Sequence, residues 1–172
     1  GILLSSEGSE ESPIRYFLGG NIKVGGRGVE IRRGKHIIFD GRGHVLEYAM
    51  DQAGIGIQIL ESENISILNL KLGNSKNGPL VDGIKGIEVK GSRNVTLEKI
   101  VVEQNGFRGI GVDIEGDPLD EEGSSHVLQN NNIRFYVEEG NALQLSASKK
   151  NKIISNRIQQ IGVRKNFGIL LL

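Results

Sequence analysis

The residues with the clearest capacity for chemistry are acids set between paired aliphatics in short, similar segments. Glu30 lies within Gly-Val-Glu-Ile, Glu88 within Gly-Ile-Glu-Val and Asp113 within Gly-Val-Asp-Ile. Gln58 and Gln144 hold the same place in Gly-Ile-Gln-Ile and Ala-Leu-Gln-Leu. If the flanking aliphatics point inward, these five side chains share the outward face. Strands stacked in register would bring Glu88 and Asp113 to about 5 Å at the backbone. Like charges at that spacing raise a pKa or recruit a cation. Hard oxygen ligands suit Ca²⁺, which takes roughly 6–8 of them, and Asp82, entering the Glu88 segment, could add a third carboxylate. An outward file of Glu and Gln is also what an ordinary solvated sheet displays, so a metal role competes with a structural one.

Just after Asp113 runs EGDPLDEEGSS, with Glu115, Asp117, Asp120, Glu121 and Glu122. The interval from Val112 to His126 is 14 residues, against 7 from Ile87 to Asn94, so an excursion of seven extra residues is expected. Long loops in compact domains are often functional, and acidic tips are also simply soluble; its spacing is not that of an EF-hand. Other chemistries find no footing. GIGIQI leads into a strand rather than a helix, GGNIKVGGRG lacks the Lys-Ser/Thr ending of a phosphate loop, and no G-x-S-x-G elbow appears. The three histidines lack metalloprotease spacing.

What must position these acids is a repeat. At an offset of thirty, Ile57, Ile59, Ser62, Asn64, Ile65, Ile67, Leu70 and Leu72 recur as Ile87, Val89, Ser92, Asn94, Val95, Leu97, Ile100 and Val102. An offset of 28 carries Val29, Ile31 and Ile37 onto Ile57, Ile59 and Ile65. Near the other end, 25 carries His126, Leu128, Asn131 and Ile133 onto Asn151, Ile153, Asn156 and Ile158, and 26 carries Leu143 and Leu145 onto Ile169 and Leu171. Apolar residues alternate at period two, with no amphipathic helix between the runs. Leucine-rich repeats are shorter, and propeller blades are longer with Trp-Asp signatures. The pattern predicts an all-β parallel solenoid of about six coils forming one domain over 1–172.

Asn64 and Asn94 fall between two strands, where asparagine tolerates the left-handed conformation and its amide can bond along a stack. His36, His126 and Asn151 are placed at the same corner, the histidines in structural rather than metal or catalytic roles. The sequons Asn64-Ile-Ser66 and Asn94-Val-Thr96 are expected to stay unmodified, because a buried stack would occupy their amides.

With 21 basic and 21 acidic residues the chain carries no net charge, so no global field draws it to nucleic acid or to an anionic membrane. No apolar run approaches the roughly 18–20 residues of a membrane span. There is no cysteine, which excludes disulfides and thiolate metal sites. Glycine reaches 25 of 172 residues with only 3 prolines, about twice the ~7% average share and a mark of tight turns. GILLSSEGSEES shows no secretory signal. A monomer is expected. Gly-Ile-Leu-Leu occurs at 1–4 and again at 168–171, and both would be open sheet edges unless covered.

SPIRYFLGGNIKV followed by GKHIIFDGRG resembles the start of pectate-lyase-type β-helices. NISILNLKLGN is similar to their Asn-Val-Ile-Ile-Arg-Asn-Leu segment, and GIEVKGSRNVTLEKI to their Asp-Ala-Ile-x-Ile-x-x-Ser-x-Asn-Val-Trp-Ile-Asp-His segment. The resemblance covers about residues 12–116. It implies a right-handed single-stranded parallel β-helix, secretion or display at the cell surface, and an acidic polysaccharide bound along one sheet. It also implies Ca²⁺ held between aspartates and the uronate carboxylate, with an arginine abstracting the neighbouring proton before β-elimination. On that pattern Asp113, Glu88 and Asp82 would hold calcium, and Arg164, in VRKNFG, or Arg108 would be the base. Lys85 stands where the family has the Asp of Asp-Ala-Ile, and Glu98 and Lys99 where it has Asp-His. These departures keep two rivals open: a non-catalytic glycan-binding or structural β-helix, and a glycoside hydrolase on the same fold using paired carboxylates. Family chains are usually about twice this length, which implies a piece of a longer protein.

Overall fold

Aliphatics at alternate positions, interrupted by Gly, Asn and Ser, make short strands that cannot bury their apolar side alone. They bury it by coiling. The structure, a computed structural model, describes residues 1–50, 52–74, 82–117, 119, 123–161 and 166–172, apart from the side chains of 166 and 167. Every described strand pairing is parallel, no described residue is helical, and each coil contributes a strand to each of three faces.

The first face stacks Ile2–Leu4, Val29–Arg32, Ile55–Leu60, Ile84–Lys90, the end of Val101–Glu115, the end of Asn132–Ser146, and Asn166–Leu171. The second is a six-rung sheet from Ile14–Phe17 to Lys152–Ile154, close to the six coils expected. The third runs from Ile22–Lys23 through Val45–Glu47 and Lys71–Gly73 to Arg157–Gln160. The two 15-residue strands bend from the third face into the first and so join them in one sheet.

The predicted register holds. Ile57 pairs with Ile87 and Val29, Ile87 with Val112, and Val112 with Leu143. Pillars of Ile, Val and Leu run through the interior fully buried, each coil removing its neighbour's apolar surface from water.

Corners break the ladder, and their backbone groups need other partners. Asn64 and Asn94 do adopt the left-handed conformation, φ 55° and 52°, as does His36 at φ 50°. Asn94 Nδ2 donates to Asn64 Oδ1 at 3.1 Å, but this stack lies at the surface rather than buried as expected. Elsewhere a side chain of the next coil receives the orphaned N–H: Ser62 Oγ that of Gly34, and Ser92 Oγ that of Ser62. His126 corrects the sequence reading. Thr96 pairs with Val127, so the residue opposite Asn94 in the left-handed corner is Ser125, φ 50°, and His126 points inward beside Val95. The excursion after Asp113 therefore adds six residues, one fewer than expected.

The glycine that opens each repeat has a steric cause. A Cβ on Gly56 would lie 2.6 Å from the Gly86 carbonyl oxygen of the next coil and 3.0 Å from Tyr48 Cε1. Gly28, Gly86 and Gly111 face the next coil's carbonyl in the same way. Gly56→Ala is therefore expected to destabilise the protein by about 2 kcal/mol through overpacking, read as a lower urea midpoint with unchanged m-value.

Candidate functional site

On the first face the proposed outward column forms as read. Leu3 pairs with Glu30, Glu30 with Gln58, Gln58 with Glu88, Glu88 with Asp113, and Asp113 with Gln144. The column is not solvated, however. Glu30 is only 8% exposed and Asp113 6%. At one-strand spacing such side chains cover one another, and flanking basic side chains lay their stems over them. Arg27 and Arg32 both hold Glu30, the latter with Nε 2.6 Å from Oε1.

Lys85 is the centre of the arrangement. Its Nζ donates to Glu88 Oε1 and lies 2.7 Å from Asp113 Oδ2, while Gln58 Nε2 donates to the other Glu88 oxygen. Burial pushes the Glu88 carboxyl up, but the hydrogen bonds from Lys85 and Gln58 outweigh it and leave it below the usual carboxylate range. Burial likewise opposes the charge on Lys85, yet its bonds to Asp113 and Glu88 hold the ammonium above the ordinary lysine value. Lys85 and Glu88 both face outward because strict alternation breaks between them. Gly86 and Ile87 are both buried, which breaks strict alternation and puts residues three apart on one side.

The other expected ligand and base sit elsewhere. Asp82 is 62% exposed and lies 3.9 Å from Arg108 rather than with Glu88 and Asp113. Arg108 donates from Nε to Glu139 at 3.0 Å, its register partner, and its guanidinium sits by the Phe107 ring. Arg164 lies outside the described residues, as do Asp120, Glu121 and Glu122. Of the excursion's other acids, Glu115 bonds Lys90 at 2.9 Å and Asp117 accepts the Leu119 N–H. Asp82, Lys85, Arg108 and Asn141 line an open groove of about 350 Å³ with Ile84 and Ile110.

These residues do not fit a calcium ion. Both Glu88 oxygens and one Asp113 oxygen are already bonded, which leaves Asp113 Oδ1 and the neighbouring Gln58 Oε1 buried without a partner. Calcium requires six or more oxygens with no ammonium among them. Among the described residues no cluster of three His, Cys, Asp or Glu is placed to hold a metal.

The geometry defines the class of molecule: a parallel β-helix with an ion-paired polar stripe on its first face. Comparison with protein-family models, curated proteins and solved structures finds no match to this chain.

Proposed function

We propose that the chain binds a uronate-containing polysaccharide along the outward side of its first face without cleaving it, as a carbohydrate-binding β-helix of pectate-lyase-like type. The observation that carries this reading is the Lys85 ammonium bonded to both Glu88 and Asp113. Its fixed charge stands where calcium would otherwise receive the uronate carboxylate. The Arg108 guanidinium at the same groove offers a forked partner for a second carboxylate. Gln144 and Asn141, both only partly buried, supply amides for hydroxyl groups along the polymer, and an extracellular setting belongs to the same proposal. Of the two arginines expected as base, Arg108 is engaged through Nε by Glu139, and Arg164 lies outside the described residues.

Titration calorimetry with polygalacturonate and alginate, with calcium and with chelator, tests the reading. Binding is expected to survive chelation and to fall about tenfold in Arg108→Gln, the loss of one charge-assisted hydrogen bond of roughly 1.5 kcal/mol. Appearance of an unsaturated uronate product would restore the lyase. New reducing ends without unsaturation would indicate a hydrolase, and no binding to either polymer removes the proposal.

A further inference from the structure

The corner where the second face begins carries a groove that shares no lining residue with the one on the first face. Along it His36, Asn64 and Asn94 hold the same place on successive coils in the left-handed conformation. Two residues further on, Ile38 and Ser66 are register partners, so a second column climbs beside the first at about 4.8 Å per coil. Glu10 and Pro13 of the preceding coil border the same space, which amounts to about 460 Å³, within the range of small-molecule sites. Its polar groups are free where those of the first face are engaged. Lys85, Glu88 and Gln58 bond one another. Here Asn94 Nδ2 donates to Asn64 Oδ1 at 3.1 Å, which orients both amides. Asn64 Nδ2, Asn94 Oδ1, the Ser66 hydroxyl and the His36 ring keep no protein partner among the described residues. With the Glu10 carboxylate they offer both donors and acceptors, and half-buried Ile38 and Pro13 offer apolar surface beside them.

We propose that this groove is a second ligand site, built for a neutral pyranose. Such a ring carries hydroxyls that each donate and accept, around an aliphatic C–H face that gains by leaving water. Amide, hydroxyl and imidazole groups beside an isoleucine and a proline match that chemistry. A uronate does not suit it, because the lining holds no lysine or arginine and its one carboxylate, Glu10, repels another. The site is formed before any ligand arrives. Stacked coils hold the corner residues, and the amide pair is held by its own hydrogen bond, so little side-chain freedom is lost on binding. The two faces thus take different saccharides, one acidic and one neutral, and neither site depends on the other.

Nitrogen–proton correlation spectra of the full chain test this, because the side-chain amides of Asn64 and Asn94 report their own surroundings. The chain is titrated with methyl β-glucopyranoside, methyl β-galactopyranoside and methyl α-mannopyranoside. At least one of the three is expected to shift both amide signals saturably, while galacturonate at the same concentration leaves them in place. Asn64→Gly removes one amide and keeps the corner, since glycine takes φ 55° without strain. Followed at Asn94, it is expected to bind the sugar about fivefold more weakly, the loss of one neutral hydrogen bond. Ser66→Trp, at a partly exposed outward position, fills the groove and is expected to abolish sugar binding while leaving the polygalacturonate titration as in wild type. The proposal is overturned by the absence of a saturable shift with all three sugars, by equal shifts with galacturonate, or by wild-type affinity in Asn64→Gly or Ser66→Trp.

Discussion

Lys85→Met is expected to destabilise the protein by about 2 kcal/mol at neutral pH and to gain less stability than wild type as pH rises from about 4 to 7. The first effect follows from leaving two adjacent, mostly buried carboxylates without their shared cation. Breaking a buried pair on one side costs about 3–5 kcal/mol, lowered here because Lys85 is partly exposed. The second follows from linkage. In the wild type the Glu88 pKa is depressed, so its contribution is present above the unfolded value of about 4.3 and fades as pH falls through the folded one. The Lys85 pKa is raised, so its contribution is present below about 10.4 and fades as pH rises through the folded value. With methionine in place, burial of Glu88 is opposed mainly by Gln58 and Lys90, and the folded pKa moves above the unfolded one. At Glu88 the folded state then holds more protons, so this contribution falls as pH rises. The difference in urea midpoint between variant and wild type at pH 5 and pH 7.5 isolates it, because the His126 titration is common to both. A variant that runs parallel to wild type over that interval would remove Lys85 from the centre of the site. Calcium provides a second readout: it should raise the melting temperature of the variant, where the carboxylates are released, and leave wild type unmoved.

The pillars and the polar column were legible because a solenoid turns sequence offset into vertical distance. Once Ile57 maps to Ile87, the pairing of Gln58 with Glu88 follows, and it is observed. Lys85 was harder to place. On a strictly alternating strand it would point away from Glu88, and only the break in alternation at Gly86 and Ile87 leaves both outward. The signal was present as the glycine that precedes four successive aliphatic pairs, at 28, 56, 86 and 111, whose missing Cβ lets adjacent coils approach. The burial of Glu30 and Asp113 was not legible from alternation, which assigns a side of the sheet but not what lies across it. Arg108 stands five residues before Asp113 in sequence, yet it belongs to the bend where the third face becomes the first, and its partners are Glu139 and Asp82. His126 was misplaced by one position because the preceding excursion absorbs the register. A residue resembling Asn94 in sequence thus becomes a neighbour of Val95 in space.

That misplaced histidine carries the other large expected effect. Stability should decline by up to about 3 kcal/mol as pH falls from 6.5 to 4, and most of that slope should vanish in His126→Asn. His126 is fully buried, and its Nδ1 accepts the Val95 N–H at 3.2 Å. The ring is therefore the tautomer protonated at Nε2, an atom buried without a partner among the described residues. Burial lowers its pKa to about 4. The unfolded chain accepts a proton near pH 6.5 that the folded chain refuses, so this contribution is complete above pH 6.5 and lost as pH falls toward 4. Each unit of difference is worth about 1.4 kcal/mol. Asparagine is the informative replacement because the next coil already uses one in this way. Asn151 Oδ1 accepts the His126 N–H at 3.1 Å, reaching back to the preceding coil just as His126 reaches back to Val95. The variant keeps an acceptor for Val95, removes the titration, and leaves a small void costing about 1 kcal/mol at neutral pH. Denaturation midpoints at half-unit intervals from pH 7 to 4 separate the two contributions, because the void shifts every point alike while the lost titration changes the slope. If wild type and variant run parallel across that range, His126 is not held neutral by the fold.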